Sequence, residues 1–505
     1  MTAVPDRPQP RPDLPLAHAL AADLDAADFR SDPLRRLWGE EADDALPRGL
    51  REPILRALAS RDDPLPTLGR LFVLGMPQPL PAVERAVPRV GVDGLIALGL
   101  ADVDGARVVP AALIRPQSFV DADGVGEWWV ASDLDEIALG AALPADHVLG
   151  VGGASRTLAE LVIPTPVERA LDLGTGCGIQ ALLVARHARR VIATDISGRA
   201  LAFAELNAQL NGVRNIEFRL GSLFEPVAGE AFDLIVSNPP FVITPRVSGV
   251  TAYEYRDGGL VGDALVEQFV RTAPMHLTDG GIAQLLGNWE SRAGVAGLDR
   301  VRGWVRDDLD AWVIQREELT PLGYAELWIR DGGTLPRDAP FRRMLTAWLD
   351  DFAERAVEAV GFGYILLRRS PGAEARLRRF EIVSQPVSNL GRALGAGLAA
   401  HDLVADGIPA RLTVAPDVTE ARHFMPGDDD PSVIELRQGG GFARTVGVDP
   451  ALAGFVGACD GELTVSQIVA ALADLFDVPL AELWADLETR IRALLLDGLL
   501  LPAQE

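Results

Sequence analysis

The chain contains no lysine, only two cysteines and only six histidines. Its 47 positive charges are therefore all arginine, and they face 72 acidic residues for a formal charge of −25. That balance excludes broad adhesion to nucleic acid or to an anionic membrane surface, while leaving room for a local basic groove. The exclusive use of arginine is read as a GC-biased genome rather than a binding strategy. Cys177 and Cys459 lie far apart and in no metal-ligand spacing, so both are expected to be reduced, buried small residues. His147, His187, His276 and His423 are scattered, and no Ser/His/Asp order competes as an active site. No metal is expected. No apolar run reaches the roughly 18–20 residues of a membrane span, so no membrane partner is expected. The proline-rich opening "MTAVPDRPQPRPDLPLAHAL" lacks a basic stretch followed by an apolar core, so no secretion signal and a cytoplasmic location are expected.

What is present is a long chain with ample apolar residues. At 505 residues, 48% of them hydrophobic, it exceeds one ordinary core and several domains are expected. The stretch that organises the reading is Ala170–Gln180, "ALDLGTGCGIQ". A short apolar strand ends in Asp172 and enters a loop with glycines at Gly174, Gly176 and Gly178. Apolar residues at helical spacing follow in "IQALLVARHARR", which predicts a helix finishing in basic residues. Glycines suit such a loop because a ligand lying across it leaves no room for side chains, and because tight turns need φ angles that glycine adopts cheaply. Downstream, "RRVIATDIS" predicts a second strand ending in Asp195, close to the spacing at which an acid accepts hydrogen bonds from a ribose. On its own the loop leaves dinucleotide and methyl-donor readings both open.

Alternating strands and helices continue to about residue 370, the pattern of a doubly wound α/β domain. "GRALAFAELNAQLNG" predicts a helix, "IEFRL" a third strand, and "FDLIVSNPPF" a fourth strand with its turn. "ALVEQFVRTAPMHL" predicts a helix broken near Pro274, "GGIAQLLGNW" a fifth strand, and "WVIQREEL" and "GYILLRRS" the last two, antiparallel. An insertion over about 320–360 carries an amphipathic helix, "FRRMLTAWLDDFAERAVEAV".

The turn "VSNPPF", Val236–Phe241, names the chemistry. A planar NH2 group has its lone pair conjugated into an amide or a ring, so it needs its hydrogens held by acceptors as the nitrogen becomes tetrahedral. Asn238 offers a side-chain carbonyl and Pro239 a main-chain carbonyl. Pro239 and Pro240 stiffen the turn, and Phe241 can stack on a flat acceptor.

The order and spacing of "DLGTGCG", Asp195 and "NPPF" resemble class I S-adenosylmethionine-dependent methyltransferases with a small domain of this type. That group includes the release-factor glutamine N5-methyltransferases and the N2-guanine and N6-adenine methyltransferases. The resemblance covers about residues 150–370 and implies an α/β, Rossmann-like, seven-stranded fold with S-adenosyl-L-methionine as cofactor. By the resemblance, Asp172, Gly174, Thr175, Gly176 and Gly178 surround the methionine part of the cofactor. Asp195, with Ile196 beside it, holds the ribose, Ser222 and Leu223 lie at the adenine, and Asn238 and Pro239 hold the acceptor nitrogen, Asn238 also counting among the cofactor-binding residues. One departure is plain: the family usually has an acid after the third strand, as in G-D-L-F, where this chain has Ser222 in "GSLFEP". The stretch "YEYRDGGLVGD" puts Arg256, Asp257, Gly258 and Gly259 either at a substrate-side loop or in an ordinary turn leading to a helix.

Around this domain the sequence predicts a flexible arm at 1–30, a helical, winged-helix-like recognition domain at 31–149, and a C-terminal domain at 371–505. The first of these flanks has a hairpin turning at Asp104 and Gly105, then Trp128 and Trp129, which are expected to pack between domains. The last seventy residues resemble small winged-helix modules, including the peptide-binding kind, and also suit a plain packing module. The arginines Arg368, Arg369, Arg376, Arg378 and Arg379 form either a solvated patch or a contact for an acidic or RNA partner. The expected function is N-methylation of a planar NH2 group on a macromolecule, protein glutamine before a base in RNA or DNA. A natural-product peptide and a non-catalytic adaptor are the remaining alternatives, and the sequence sets no oligomeric state.

Overall fold

The computed structural model describes residues 7–121, 124–141, 143–247, 256–370, 372, 374–383 and 390–503. The chain divides into two compact units. The first comprises Met1–Ala159, Thr165–Arg306 and Glu317–Arg369, and the second Glu160–Pro164, Asp307–Arg316 and Ser370–Glu505.

In the first unit, the region expected as a flexible arm contains a helix at Leu14–Ala26. Asp13 caps it by accepting from the Leu16 amide at 3.0 Å, and Ala17, Leu20 and Leu24 are buried. Prolines dominate only the residues before the cap, and the alanine–leucine run behind them has an apolar face to bury. The hairpin turning at Asp104 and Gly105 forms between Ala101–Asp104 and Arg107–Pro110. A longer hairpin, Ala112–Asp121 with Gly124–Asp133, follows it.

The central sheet of this unit holds β1 (Val167–Leu173), β2 (Ala188–Asp195), β3 (Ile216–Leu220), β4 (Phe232–Ser237), β5 (Leu277–Arg292) and β6 (Val357–Arg369). Their spatial order is β6-β5-β4-β1-β2-β3. β1 to β5 pair parallel with their neighbours, and only β6 runs antiparallel, against β5. The buried stretches of β2 (Val191–Thr194) and β4 (Leu234–Ser237) are mostly apolar, as a sheet covered on both faces requires. The helices α1 (Ile179–Val184), α2 (Gly198–Leu210) and α3 (Ala264–Thr272) connect them. α1 is shorter than its sequence pattern suggests, because Ala188–Arg190 join β2 and pair with β1 rather than extending the helix. The amphipathic helix of the insertion likewise ends at Glu354, since Val357 onward pairs with β5.

Two asparagines on α2 act as strand partners for the long hairpin. Asn207 accepts from the Ala131 amide at 2.7 Å and donates to its carbonyl at 2.9 Å, and Asn211 does the same for Trp129 at 2.9 and 2.8 Å. Trp129 also donates its indole N–H to the Phe29 carbonyl at 2.6 Å, and Trp128 packs against Phe119 with the rings tilted by 36°. The tryptophan pair therefore packs within this unit.

The second unit pairs Ala311–Gln315 in parallel with Arg378–Ile382. Beyond these lie the helix Leu390–Ala405, three antiparallel strands (Val418–His423, Val433–Gln438, Thr445–Val448) and three helices (Pro450–Gly457, Val465–Phe476, Leu480–Leu496). Their core gathers Leu412, Leu436, Phe455, Leu487 and Ile491. Among the described residues no helix is long and apolar enough to cross a membrane.

A buried ion pair locks the start of α2. Arg199 donates to Asp133 at 3.0 Å from Nε and 2.5 Å from a terminal nitrogen, with both side chains under 5% exposed, and it also donates to the Pro8 carbonyl at 2.9 Å. Burial works against the Asp133 charge, but Arg199, the Val148 amide and Arg7 outweigh it and hold its carboxyl below the usual range. Removing one partner leaves a buried charge uncompensated, so Arg199→Ala is expected to cost about 3–5 kcal/mol. Calorimetric unfolding checks this, and a melting temperature equal to that of the parent would contradict it.

Candidate active site

The site follows from strand register. Leu173, the last residue of β1, lies opposite Thr194 of β2 on one side and Ser237 of β4 on the other. Asp195 lies opposite Leu220 at the end of β3. The loops that follow these strands therefore leave the sheet at one edge, where ligands of open α/β sheets collect. The Ser237 hydroxyl, fully buried, donates to the Leu173 carbonyl at 2.8 Å and ties the glycine loop to the NPPF turn. The Gly221 amide donates to the Asp195 carbonyl at 3.0 Å, which brings Ser222 and Leu223 beside that acid.

Within the glycine loop, the Gly174 and Thr175 amides both donate to the Thr194 carbonyl at 2.9 Å. Gly178 has φ +86°, and a Cβ built there would lie 2.9 Å from the Ala204 Cβ and 3.0 Å from its Cα. Only glycine lets α1 start against α2 at that distance. Around Gly174 and Gly176 a Cβ would meet nothing within 4 Å, so the loop borders open space. Asn207 reaches the loop from below by donating to the Cys177 carbonyl at 2.8 Å.

The polar groups around that space are partly unmet. Asp172 accepts from the Thr175 hydroxyl at 2.6 Å through one oxygen, while the other is buried with no hydrogen-bond partner. Burial pushes its carboxyl up to about 7 against that hydrogen bond and the pull of the Ala181 amide. Asp195 accepts from the Gly176 and Ser197 amides, each at 2.9 Å, and burial still holds its carboxyl above the usual range. Ile196 beside it is 66% exposed, an apolar surface free to lie on a flat ring. At the end of β4 the Asn238 Oδ1 is also buried without a hydrogen-bond partner. An unmet buried acceptor costs about 1–3 kcal/mol, a condition that Asp172 and Asn238 share with atoms elsewhere in the fold such as Asn288 Oδ1 and Gln438 Oε1.

Pro239 is buried, Pro240 and Phe241 are half-buried, and Phe241 bridges Asp257. In "YEYRDGGLVGD", Tyr253, Glu254 and Tyr255 lie outside the described residues. Arg256 and Asp257 are buried and structural. Arg256 donates to the Trp328 carbonyl at 3.1 Å and to Asp331 at 3.0 Å, and Asp257 accepts from the Thr244 hydroxyl. Gly258 and Gly259 continue into the turn before α3. Both cysteines are free and buried, and burial pushes their thiols up to about 11 for Cys177 and about 12 for Cys459. Among the described residues no histidine, cysteine and acid cluster could hold a metal. The arginine stretch offers no open patch: Arg369 pairs with Asp279, Arg376 with Asp402, Arg378 with Asp307 and Arg379 with Asp497, and Arg368 is buried.

Three positioning groups escape a reading by motif. Ser237 looks like any strand residue. Asn207 leaves a trace, being polar on the apolar face that carries Phe203, Ala204 and Leu210. Tyr324 and Asn288 are joined only by the fold: the Tyr324 hydroxyl accepts from the Ile243 amide at 2.9 Å and from Asn288 at 2.7 Å, bracing the chain just after the NPPF turn.

The chain resembles known proteins over part of its length. Residues 26–111 match a family described only as a domain of unknown function. The chain is 39% identical over 147 residues to a release factor glutamine methyltransferase from Xylella fastidiosa, covering 27% of this chain and 53% of that protein. It is 39% identical over 130 residues to a ribosomal protein uL3 glutamine methyltransferase from Bradyrhizobium diazoefficiens, covering 24% and 40%. The chain thus spans about half the length of the curated relatives it matches. A solved ribosomal protein L11 methylase from Lactobacillus delbrueckii is 26% identical, with 28% and 62% covered and a TM-score of 0.21. Residues 150–296 match the family described as the methyltransferase small domain.

Proposed function

We propose that this protein is an S-adenosyl-L-methionine-dependent N-methyltransferase acting on a planar NH2 group of a macromolecule, with protein glutamine as the acceptor. The observation that carries the reading is the buried, unpartnered Asn238 Oδ1 at the end of β4, one residue beyond the Ser237–Leu173 bond. Names of relatives that methylate glutamine in a release factor and in a ribosomal protein support the choice of acceptor.

The residues fit both partners. Asp172, Thr175 and the open loop at Gly174, Gly176 and Gly178 would hold the charged amino-acid end of the cofactor, Asp195 its ribose hydroxyls, and Ile196, Ser222 and Leu223 its base. When bound, the cofactor supplies an electrophilic methyl on a sulfonium. Asn238 and the Pro239 carbonyl would accept the two hydrogens of the incoming amine, and Pro240 fixes the turn. Phe241 gives the flat group a face to lie on. Holding the nitrogen in line with the methyl contributes most of the rate, since orientation alone can be worth about 7–11 kcal/mol. A seven-stranded sheet, winged-helix character for the flanks and a cytoplasmic site of action belong to the same proposal.

Three outcomes test it. Asn238→Ala is expected to lower the methyl-transfer rate about 100-fold or more with cofactor affinity within a few-fold, whereas Asp195→Ala is expected to weaken cofactor binding. Equal loss of both quantities in Asn238→Ala would remove its role at the acceptor. Incubating a cell extract with methyl-labelled cofactor and then digesting separately should leave the label in nuclease-resistant, protease-sensitive material. Label lost to nuclease and resistant to protease would move the acceptor to a nucleobase.

The third concerns pH. Because the Asp172 carboxyl titrates near 7 in the free protein, the carboxylate that suits a cationic ligand forms as pH rises through that value. Relative to Asp172→Asn, cofactor affinity of the parent should strengthen about tenfold between pH 6 and pH 8. In the free protein the sign is opposite: with its proton held above the usual range, Asp172 favours folding at low pH and loses that contribution as pH rises toward 7. Calorimetric titration of both proteins checks the first effect, and parallel pH profiles would contradict it.

A further inference from the structure

The second unit carries a groove that methyl transfer does not use. It encloses about 620 Å³, within the range of pockets that take ligand groups. Val465 and Val469 form a buried floor, and Ile408, Leu480 and Trp484 form walls. At its end the one arginine, Arg492, is already engaged: it pairs with Glu488 at 3.1 Å and donates to the Val404 carbonyl at 2.9 Å. Where the two long helices meet, the end of one leaves Leu475 74% and Phe476 40% exposed and the start of the next leaves Leu480 52% exposed, a run of apolar surface that isolated exposed residues do not make.

Besides arginines such as Arg492 and Arg411, the charges that flank the groove lining in sequence are acidic. Asp406 precedes Ile408 by two residues, Glu462 precedes Thr464 by two, Asp477 precedes Leu480 by three, and Glu482 adjoins Ala481. All four are exposed, and none makes an ion pair among the described residues. Arg411, the nearest other base in sequence, is turned to the Gly461 and Glu462 carbonyls. An apolar floor with an unpaired acidic rim complements a segment of opposite pattern. We propose that this groove docks a segment of a second protein that presents two or three apolar side chains flanked by arginine or lysine. The proposal rests on the second unit alone and stands apart from the methyl-transfer reading.

The test selects a random 12-residue peptide library, displayed on phage, against the immobilised full chain, and measures the enriched peptides by calorimetry. Apolar cores flanked by basic residues are expected, binding at least tenfold more weakly to Ala481→Arg and at least threefold more weakly to the paired change Asp477→Asn with Glu482→Gln. Raising the salt from 50 to 500 mM should weaken binding further. The paired change keeps shape and removes only charge, so it decides the matter if Ala481→Arg lowers the melting temperature. Absence of a consensus, enriched peptides without basic residues and indifferent to salt, or equal binding to both variants would overturn the proposal.

Discussion

Everything at the candidate site depends on the register of β1 between its two neighbours. Leu173 faces Thr194 and Ser237, and from those three positions the chain turns out of the sheet within one or two residues. The glycine loop, the acid Asp195 and the NPPF turn meet because their strands end level, and the Ser237–Leu173 bond holds two of those ends together. A slip of one residue would reverse which side chains point inward along β1 and carry Asp172 out of the site. The buried stretches of β2 (Val191–Thr194) and β4 (Leu234–Ser237) tolerate no such slip cheaply.

The site that this register assembles is under-satisfied by its own chain. Buried oxygens on Asp172 and Asn238 accept nothing from within, while the backbone around them is closely hydrogen-bonded through the Thr194 and Leu173 carbonyls. Unmet buried atoms also occur at scaffold positions such as Asn288, Gln209 and Trp348, so it is their place beside the glycine loop and at the end of β4 that singles these two out. The flanking candidates differ in being paired. Arg256, Asp257 and the arginine stretch around residue 378 are paired internally and serve structure.

Sequence patterns carried the core of the first unit well. The strand ends at Asp172, Asp195 and Ser237 were legible because each pairs an apolar run with an abrupt polar or glycine break. The ends of α1 and of the helix over 339–354 were not, since helical spacing continues into residues that the sheet claims, and pairing outweighs local propensity. The helix at Leu14–Ala26 was hidden behind a run of prolines that reaches Pro15 in its first turn. Least visible were contacts between distant segments. That Asn207 and Asn211 would serve the hairpin as surrogate strand partners, or that Arg199 would find Asp133, depends on packing no local pattern encodes.

The most direct check of the central claim, that one sheet edge gathers donor and acceptor residues into a single site, is amide hydrogen exchange of the full chain with and without S-adenosylhomocysteine. The account predicts that 172–180, 194–197, 221–223 and the turn at 238–241 gain protection together, while the hairpin at 112–133 is unchanged. Protection confined to other segments, or gained by the glycine loop without the turn after β4, would contradict it.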